Sequence, residues 1–569
     1  MSLEELAEKW IEIDNTPAHQ EEIKQKLAEN DQAWLQENFG SRLSFGTAGL
    51  RGKMGAGTNG MNRGMVQQTS LGIALTIKAQ FPDKKPAVVI GYDARHNSKI
   101  FAEDTARIFA SQGFTVFLFH ELCATPVLSY AVLSLKTNVG IMVTASHNPA
   151  ADNGYKVYWS NGAQIISPQD SDISAQIQTI ADNVVWKGLP SIEELDITPV
   201  SQNIINQYFK EISKLRIKPA TGAKLVYSGM HGVGTRWVKQ ALEEAGHDFQ
   251  LVKEQAEPDG DFPTVMFPNP EEKGALDLSI ALAKKLQADA VLANDPDADR
   301  LAVSLPSAKG SWVNLTGDQV GLLLADYILE FGQFEKTPLV LTSLVSSSLL
   351  ETLAQRKNIH YGETLTGFKW IANRGILLAK ELDAELVFGF EESLGYCIGS
   401  VAMDKDGVSA VLLMADLISY CKSKGLTLWD RLASLYMRLG FALSKQKSIT
   451  KPGSAGKAEI DRILEYLRSS PPSEIAGVKV WRVRDYLKQE SREADGTITK
   501  LQLPKSNVLG FDLDNGDRVL ARPSGTEPKI KFYLEAKKSL NSAEEYEQVQ
   551  AKLLERLEEL QEGILSQLG

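Results

Sequence analysis

The chain has 569 residues, of which 43% are hydrophobic and 23% are charged, and its 61 basic and 72 acidic residues give a net charge of −11. This length predicts about three to five domains and excludes a peptide hormone, a lone binding module and a disulfide-stapled miniprotein. The composition is close to the globular average and argues against a disordered chain. The acidic charge argues against nucleic acid or an anionic membrane as the main partner, but it allows a small phosphorylated substrate in a local basic pocket.

Three further features indicate a cytoplasmic protein. The cysteines are few and far apart, at Cys123, Cys397 and Cys421, and form no CxxC metal motif. The N-terminal segment MSLEELAEKW is acidic and lacks the basic start and apolar core of a signal peptide. No uncharged apolar run reaches the ~18 residues that span a bilayer.

The first elements in chain order are predicted helices over residues 2–39, which carry enough apolar anchors to form a packed extension. From Ala87 onward strands alternate with helices: PAVVIGYD is a predicted strand, FAEDTARIFASQ a helix and FTVFLFH a strand. This alternation predicts a mostly parallel sheet covered on both faces. Three apolar strands run into polar loops, and because ligands bind beyond the carboxyl ends of such strands, we expect these loops to converge on one cleft.

After about Gly440 the pattern changes to a small α+β domain. Short strand-like runs alternate with turns, and a final amphipathic helix carries apolar residues from Tyr546 to Ile564 at three- and four-residue spacing. The predicted strands are WRVRDYL, KLQLP, NVLGFDL, DRVLARP and KIKFYLEA, and the predicted connections are KPGSAGK, SSPPSE and EADG.

The first polar loop contains Ser146 and His147, and Lys156 follows ten residues later. A serine that leaves a buried strand is a candidate covalent acceptor, and the neighbouring histidine or lysine is a candidate acid, base or phosphate contact. The alternative is that Ser146 caps a helix. A serine hydrolase fits poorly, because the chain has no GxSxG elbow at this loop.

The second loop carries Asp295, Asp297 and Asp299 at alternate positions, followed by Arg300. Clustered carboxylates are costly without positive compensation, and their hard oxygens suit Mg²⁺. An EF-hand calcium loop fits less well, since its glycine and glutamate are missing. Two alternatives stay open here: a solvated acidic turn, and an aspartyl phosphatase in which Asp295 is the nucleophile.

The third and fourth loops offer sugar and phosphate contacts. Glu391 and Ser393 can bind the vicinal hydroxyls of a sugar, although Glu-Glu-Ser also begins many helices. The fourth loop combines an arginine and hydroxyls with a glycine that exposes backbone N–H groups, so it forms a candidate phosphate cradle, with a surface turn as the alternative. Its candidate residues are Arg522, Ser524, Gly525 and Thr526.

Together the four loops supply a covalent acceptor, a divalent cation site, a hydroxyl reader and a phosphate grip, which phosphoryl transfer on a sugar phosphate requires. The chain resembles the α-D-phosphohexomutase family in these motifs, in order: TASHNP, DPDADR, FEESLGY and RPSGTEP. The segments FGTAGLRG, with Arg51, and TLTGFKW, with Lys369, are also similar to family segments that line the cleft. Two positions differ from the family pattern. In the second loop, Pro296 stands where many family members have glycine. The third loop ends in Leu-Gly-Tyr and not in the Ser-Gly-His of phosphomannomutase/phosphoglucomutase enzymes, which disfavours mannose phosphates as substrates.

The resemblance implies three similar mixed α/β domains plus a C-terminal α+β domain around a central cleft. The predicted bounds are 1–203, with the helical extension and the phosphoserine loop, 204–313 with the magnesium loop, 314–440 with the sugar loop and 441–569 with the phosphate loop. It further implies that Ser146 carries a phosphoryl group and that Mg²⁺ bridges Ser146 to the three aspartates.

The remaining site residues also receive roles from the resemblance. Lys156, His147 and Arg51 are candidates for proton transfer or charge neutralisation, and Arg300 positions the serine loop. Lys369, Glu391 and Ser393 bind the sugar. The second phosphate is bound by Arg522, Ser524, Gly525 and Thr526.

The implied activity is that of a phosphoglucomutase, an isomerase that interconverts glucose 1-phosphate and glucose 6-phosphate through glucose 1,6-bisphosphate. Phosphopentomutase and phosphomannomutase are the alternative activities within the family, and an inactive relative that binds sugar phosphate is the alternative from a different functional class. We expect a cytoplasmic monomer or weak homodimer that binds a small sugar phosphate and neither nucleic acid nor membrane.

Overall fold

The computed structural model describes residues 1–46, 49–82, 85–181, 183–451, 453–524 and 529–568. The N-terminal segment is helical as predicted, and Ser2 caps its first helix through a reciprocal capping box with Glu5. Trp10 and Phe39 are buried in a core of their own with neighbouring apolar residues, which confirms a packed extension. The helices are α1 (Leu3–Ile13), α2 (Pro17–Ala28) and α3 (Gln32–Phe39).

The first sheet is mixed. Its strands alternate with helices, because buried apolar strands such as Ala87–Tyr92 need cover on both faces. The elements are β1 (Gly49–Lys53), α4 (Arg63–Gln80), β2 (Ala87–Tyr92), α5 (Ser98–Ser111), β3 (Thr115–Leu118), α6 (Thr125–Ser134), β4 (Val139–Val143), β5 (Asp152–Trp159), α7 (Gln169–Ile180) and β6 (Ile197–Pro199). The strand order is β1-β5-β4-β2-β3-β6, with β2 parallel to β3 and β4, and with β5 antiparallel to β1 and β4.

The second sheet has the same alternation. Its elements are α8 (Gln202–Lys214), β7 (Lys224–Ser228), α9 (Gly234–Ala245), β8 (Asp248–Leu251), α10 (Asp277–Leu286), β9 (Ala290–Ala293), β10 (Ala302–Pro306) and β11 (Trp312–Asn314). The strand order is β11-β10-β9-β7-β8, and β7 is parallel to both β8 and β9. Strands β4 and β9 are buried along their whole length, and each ends in one of the predicted polar loops.

The third sheet has the order β13-β12-β14-β15, and β12 is parallel to β13. Glu391 ends a strand, so the Glu-Glu-Ser sequence belongs to a strand connection and does not begin a helix. The elements are α11 (Gly317–Phe331), β12 (Pro338–Ser343), α12 (Leu349–Lys357), β13 (His360–Thr364), α13 (Phe368–Glu381), β14 (Glu385–Glu391), β15 (Gly395–Ile398), α14 (Gly407–Ser423) and α15 (Leu428–Leu439).

The C-terminal sheet is antiparallel in every strand pair of the described residues. Its strands are β16 (Phe441–Thr450), β17 (Glu474–Ile475), β18 (Val478–Asp485), β19 (Glu490–Glu493), β20 (Ile498–Lys500), β21 (Leu509–Leu513), β22 (Arg518–Pro523) and β23 (Lys529–Lys538). Its helices are α16 (Gly453–Ser469) and α17 (Tyr546–Ser566). Three mixed α/β sheets followed by this α+β arrangement confirm the predicted fold class.

Two local predictions in the C-terminal part are wrong. Most of KPGSAGK is the first turn of α16, because the buried apolar residues that follow, Ile460, Leu464 and Leu467, recur at helical spacing and favour a helix that extends back to Gly453. In KLQLP, Lys500 ends β20 and the residues after it form a loop, since among the described residues this strand pairs with β19 alone.

By internal contacts the chain divides into two compact units. One comprises Met1–Leu315, Val387–Gly389 and Ser393–Ser423, and the other comprises Thr316–Leu386, Phe390–Glu392 and Lys424–Gly569. The four predicted domain bounds stay a prediction. Within the described part of the chain, no helix is both long and apolar enough to cross a membrane.

Candidate active site

The loop after β4 holds Ser146 in an unusual backbone conformation. Ser146 has φ of +53°, in the left-handed region that costs energy for a residue with a side chain. Its backbone N–H donates to Thr144 Oγ1 at 2.8 Å, and the Thr144 hydroxyl donates to Asp93 Oδ2 at 2.6 Å. The serine is therefore fixed by the polar residues that follow β2 and β4.

The side chain of Arg95 binds the backbone of the same loop. Its Nη1 donates to the carbonyl oxygens of Pro149 at 2.7 Å and Asp152 at 3.0 Å. Its Nη2 donates to the carbonyl oxygens of Ser146, at 2.7 Å, and Asn148. Sequence reasoning missed this buried arginine, although it follows an apolar strand as the predicted site loops do.

The loop after β9 brings three aspartates to Ser146. The carboxylates of Asp295, Asp297 and Asp299 are buried, and one oxygen from each lies within 4.8 Å of the other two. The turn passes through Ala298 with φ of +58°. Ser146 Oγ donates to Asp295 Oδ2 at 2.7 Å, so the first two predicted loops meet.

Two lysines partly neutralise the negative charge of the aspartates. Lys156, on β5, places its Nζ 2.7 Å from Asp297 Oδ2 and 3.0 Å from Asp299 Oδ2. Lys405 places its Nζ 3.0 Å from the same oxygen of Asp299. The positive charge that the sequence required is thus present, but Lys405 was not identified because it follows a turn that shows no recognisable pattern.

The three carboxyls differ in ionisation. Burial, together with the charges of Asp299 and Asp297, raises the pKa of Asp295 well above its ordinary value. Burial also opposes the charge of Asp297, but Lys156 outweighs it and holds the pKa of this carboxyl below the ordinary range. The pKa of Asp299 is likewise lowered, because Lys156 and Lys405 outweigh burial and the repulsion from Asp297. The cluster therefore carries negative charge at neutral pH.

Two buried oxygens of the cluster point to a cation. Asp297 Oδ1 and Asp299 Oδ1 have no hydrogen-bond partner among the residues that the structure describes. An unpaired buried carboxylate oxygen is costly unless a positive ligand binds it. The donor set fits a hard divalent ion, so Asp295, Asp297 and Asp299 could hold a metal beside Ser146.

His147 and Arg300 complete the surroundings of Ser146. His147 Nδ1 lies 3.2 Å from Ser146 Oγ, and Nε2 lies 3.5 Å from Arg300 Nη2. Burial, and then the charges of Arg300 and Arg51, lower the pKa of His147 well below its usual value, so the imidazole is neutral. The backbone N–H of Arg300 donates to Asp295 Oδ1 at 3.0 Å.

Arg51 also reaches the serine loop. It lies on β1, directly beside β5, and its Nη1 donates to Asn148 Oδ1 at 3.1 Å. The predicted residues of this first group are therefore together: a hydroxyl, a neutral imidazole, three carboxylates and several cations. Such a set can activate an oxygen nucleophile and stabilise the negative charge of a phosphoryl group.

The predicted sugar residues lie around the end of β14. Glu391 Oε1 accepts a hydrogen bond from the backbone N–H of Gly367 at 2.6 Å. Lys369, two residues further along, lies in the first turn of α13 with its Nζ 5.8 Å from the ring centre of Trp370. The structure thus joins Glu391 to the segment of Lys369. Ser393 lies in the turn between β14 and β15.

The predicted phosphate residues lie at the end of β22. Arg522 pairs across the sheet with Lys531, and the Ser524 N–H donates to the Lys529 carbonyl at 2.8 Å. Gly525 and Thr526 lie outside the described residues.

Four family models match the chain in order. They are the phosphoglucomutase/phosphomannomutase α/β/α domain I over residues 42–184, domain II over 206–307, domain III over 316–438 and the C-terminal domain over 478–553. The matches run in the same order as the predicted loops along the chain.

Known proteins are similar over most of the chain. A Haemophilus influenzae protein named "Probable phosphomannomutase" is 43% identical over 483 residues, which cover 84% of this chain and 93% of that protein. The Homo sapiens phosphopentomutase is 37% identical, with 94% and 91% covered, and a Staphylococcus aureus phosphoglucomutase is 37% identical, with 93% and 95% covered. A solved Burkholderia thailandensis phosphoglucomutase/phosphomannomutase family protein has the same fold, with a TM-score of 0.68 at 18% identity and with 93% and 97% covered.

Proposed function

The chain belongs to the phosphoglucomutase/phosphomannomutase family, and from this premise we propose that Ser146 transfers a phosphoryl group between two positions of a sugar phosphate. Family membership makes the protein a phosphomutase, an isomerase by class. The observation that carries the proposal is the 2.7 Å contact between Ser146 Oγ and Asp295 Oδ2, because it places a hydroxyl at the edge of the three-aspartate cluster.

The cation of this cluster is proposed to be Mg²⁺, held by Asp295, Asp297 and Asp299 together with an oxygen on Ser146. When bound, Mg²⁺ neutralises charge on the phosphoryl oxygens. Lys156 adds a second positive charge next to the cluster, since its ion pairs with Asp297 and Asp299 hold the ammonium in place.

The proposed half-reaction breaks the bond between Ser146 Oγ and phosphorus and forms a bond from phosphorus to a sugar hydroxyl oxygen. The proton of that hydroxyl passes to a base of the site, for which Lys156, His147 and Arg51 are the candidates, and a proton returns to Ser146 Oγ. His147 Nδ1, at 3.2 Å, is placed to hold a proton at Oγ. The second half-reaction reverses these steps with the other phosphate of the bisphosphate, so atoms and charges balance over the cycle. Arg51 and Arg300 position the loop around this oxygen.

The proposed substrate pair is glucose 1-phosphate and glucose 6-phosphate, with glucose 1,6-bisphosphate as intermediate and activator. Lys369, Glu391 and Ser393 would bind the sugar, and Arg522, Ser524, Gly525 and Thr526 the phosphate that is not in transfer. Phosphopentomutase is the second candidate, because the human relative with that name aligns over 94% of this chain. The cytoplasmic location and a monomer or weak homodimer stay predictions.

One assay tests the proposal. The protein is given the 1-phosphates of glucose, mannose and ribose in turn, each with glucose 1,6-bisphosphate and Mg²⁺, and kcat/KM is compared. We expect the highest value for glucose 1-phosphate, and no turnover for Ser146→Ala. A higher value for ribose 1-phosphate selects the second candidate, release of inorganic phosphate supports a phosphatase, and binding without turnover supports an inactive relative.

A further inference from the structure

Within the second compact unit, the loop that follows β12 contacts Glu392, the residue after the proposed sugar-binding Glu391. Ser346 Oγ donates to Glu392 Oε2 at 2.8 Å, and the Glu392 N–H donates to Ser346 Oγ at 3.1 Å. Ser343 Oγ also donates to Glu392 Oε2, at 3.1 Å. Because Glu392 follows Glu391 directly, these serines fix the backbone next to the sugar-binding side chain.

The same loop contacts β22 and β23 from its other side. Arg518 Nη2 donates to the Ser346 carbonyl oxygen at 2.5 Å, and Arg518 Nε lies 2.8 Å from Glu535 Oε2. The Glu535 carboxylate also accepts hydrogen bonds from Ser347 Oγ at 2.8 Å and from the N–H and Oγ of Ser348 at 2.9 and 2.8 Å. These groups are buried, so the contact is shielded from water.

The strand that carries Arg518 also carries the phosphate-binding arginine. Arg522 lies four residues further along β22, and in a strand such residues share one face. Tyr533 on β23 interacts with residues of both groups: burial, chiefly, and the charges of Glu392 and Glu391 raise its pKa to about 12, while the charge of Arg522 and a hydrogen bond with it oppose this rise. Glu392, which follows the proposed sugar-binding Glu391, and strand β22, which carries Arg522, therefore both contact the loop that follows β12.

We propose that Arg518 and Ser346 set the separation between Glu391 and Arg522, and that this separation selects hexose over pentose phosphates, an inference that rests on the proposed function. A hexose phosphate has one more chain carbon, which adds a bond of about 1.5 Å. A displacement of about 1 Å at a reacting centre costs about 100-fold in rate. A buried contact made by an ion pair and several hydrogen bonds holds such a distance better than a solvent-exposed one.

Arg518→Lys tests this positioning role. Lysine keeps a charge beside Glu535, but a single ammonium lacks the planar fork that reaches both Glu535 and the Ser346 carbonyl. We expect the ratio of kcat/KM for glucose 1-phosphate to that for ribose 1-phosphate to move toward one by about tenfold or more. Each substrate is assayed with Mg²⁺ and its own bisphosphate.

The matched control is Arg431→Lys. Arg431 is 11% exposed, as Arg518 is, and pairs at 2.6 Å with the fully buried Asp326 in the same unit. This variant should lose comparable stability and keep the wild-type ratio. A purely structural role for Arg518 predicts the same behaviour in both variants.

Ser346→Ala supplies a second test, which decides the question if Arg518→Lys does not fold. It removes the hydroxyl contact with Glu392 and should shift the ratio in the same direction, and in the double variant the two shifts should be less than additive. An unchanged ratio with turnover retained overturns the inference and leaves the proposed function intact. Absence of turnover in the wild-type protein with every sugar overturns both.

Discussion

Substitution of Arg95 by lysine should weaken both the fold and the chemistry, because this one side chain holds the Ser146 loop. The guanidinium donates to four backbone carbonyl oxygens, those of Ser146, Asn148, Pro149 and Asp152. A lysine ammonium has three donors without the planar geometry of the fork. About two of the four carbonyl contacts should therefore be lost.

The size of the effect follows from those contacts. A hydrogen bond from a charged group contributes about 1.5–3 kcal/mol. Because losses within one loop overlap, we expect the free energy of unfolding to fall by about 3 kcal/mol. Since Ser146 has the strained φ of +53°, its backbone should relax once the hydrogen bonds from residue 95 to the loop carbonyls are weakened. A shift of about 1 Å at Oγ should lower kcat/KM about 100-fold.

The assay combines urea unfolding with mutase kinetics. Arg63→Lys is the control. Arg63 forms a bidentate ion pair with Asp104, with both hydrogen bonds at 2.7 Å, and has no hydrogen bond to the Ser146 loop among the described contacts. It should lose stability and keep kcat near the wild-type value. If Arg95→Lys loses stability while kcat stays at the wild-type value, the Arg95 guanidinium does not position Ser146 and this reasoning is refuted.

Two further predictions concern buried carboxyls. Asp297→Asn should weaken Mg²⁺ binding at least about tenfold, because a charged oxygen ligand is lost, and should not raise the melting temperature in EDTA, because Lys156 loses a partner that compensates its charge; calorimetric titration with Mg²⁺ and thermal unfolding check this, and an unchanged affinity would contradict it. Asp318→Asn should gain stability relative to wild type as pH rises, because burial, then Glu392 and Glu535, raise the pKa of Asp318 to about 7. The stability from a raised carboxyl pKa is present below about pH 4 and is lost as pH rises through 7, so the advantage of the variant should be about 2–3 kcal/mol larger at pH 8 than at pH 5 in urea unfolding. An equal difference at both pH values would show that Asp318 does not ionise in this range.

The sequence predicted those parts of the site that are local in the chain. Ser146 and the aspartates each follow a buried apolar strand, and the carboxyl ends of such strands are where ligands bind. The fold class followed from the same alternation of strands and helices. Residue type added the chemistry, since three alternate carboxylates suit a hard cation.

Contacts between distant residues could not be predicted in this way. Arg95 reaches the Ser146 carbonyl across 51 positions, and Lys405 reaches Asp299 from a segment that no motif marks. Arg518 lies within a predicted strand, and a strand pattern gives no information on distant partners, so its hydrogen bond to the Ser346 carbonyl across 172 positions is visible only in the fold. Local propensity also failed at Gly453, where a glycine-rich segment begins a helix.

The location of the transferred phosphoryl group tests most directly whether Ser146 is the covalent acceptor. The dephosphorylated protein is incubated with glucose 1,6-bisphosphate and Mg²⁺, and the phosphate is mapped by intact mass and peptide fragmentation in wild type, Ser146→Ala and Asp295→Asn. We expect one phosphate on Ser146 in the wild-type protein, none in Ser146→Ala, and loss of turnover in Ser146→Ala. Phosphate on Asp295, or full turnover without Ser146, would contradict it.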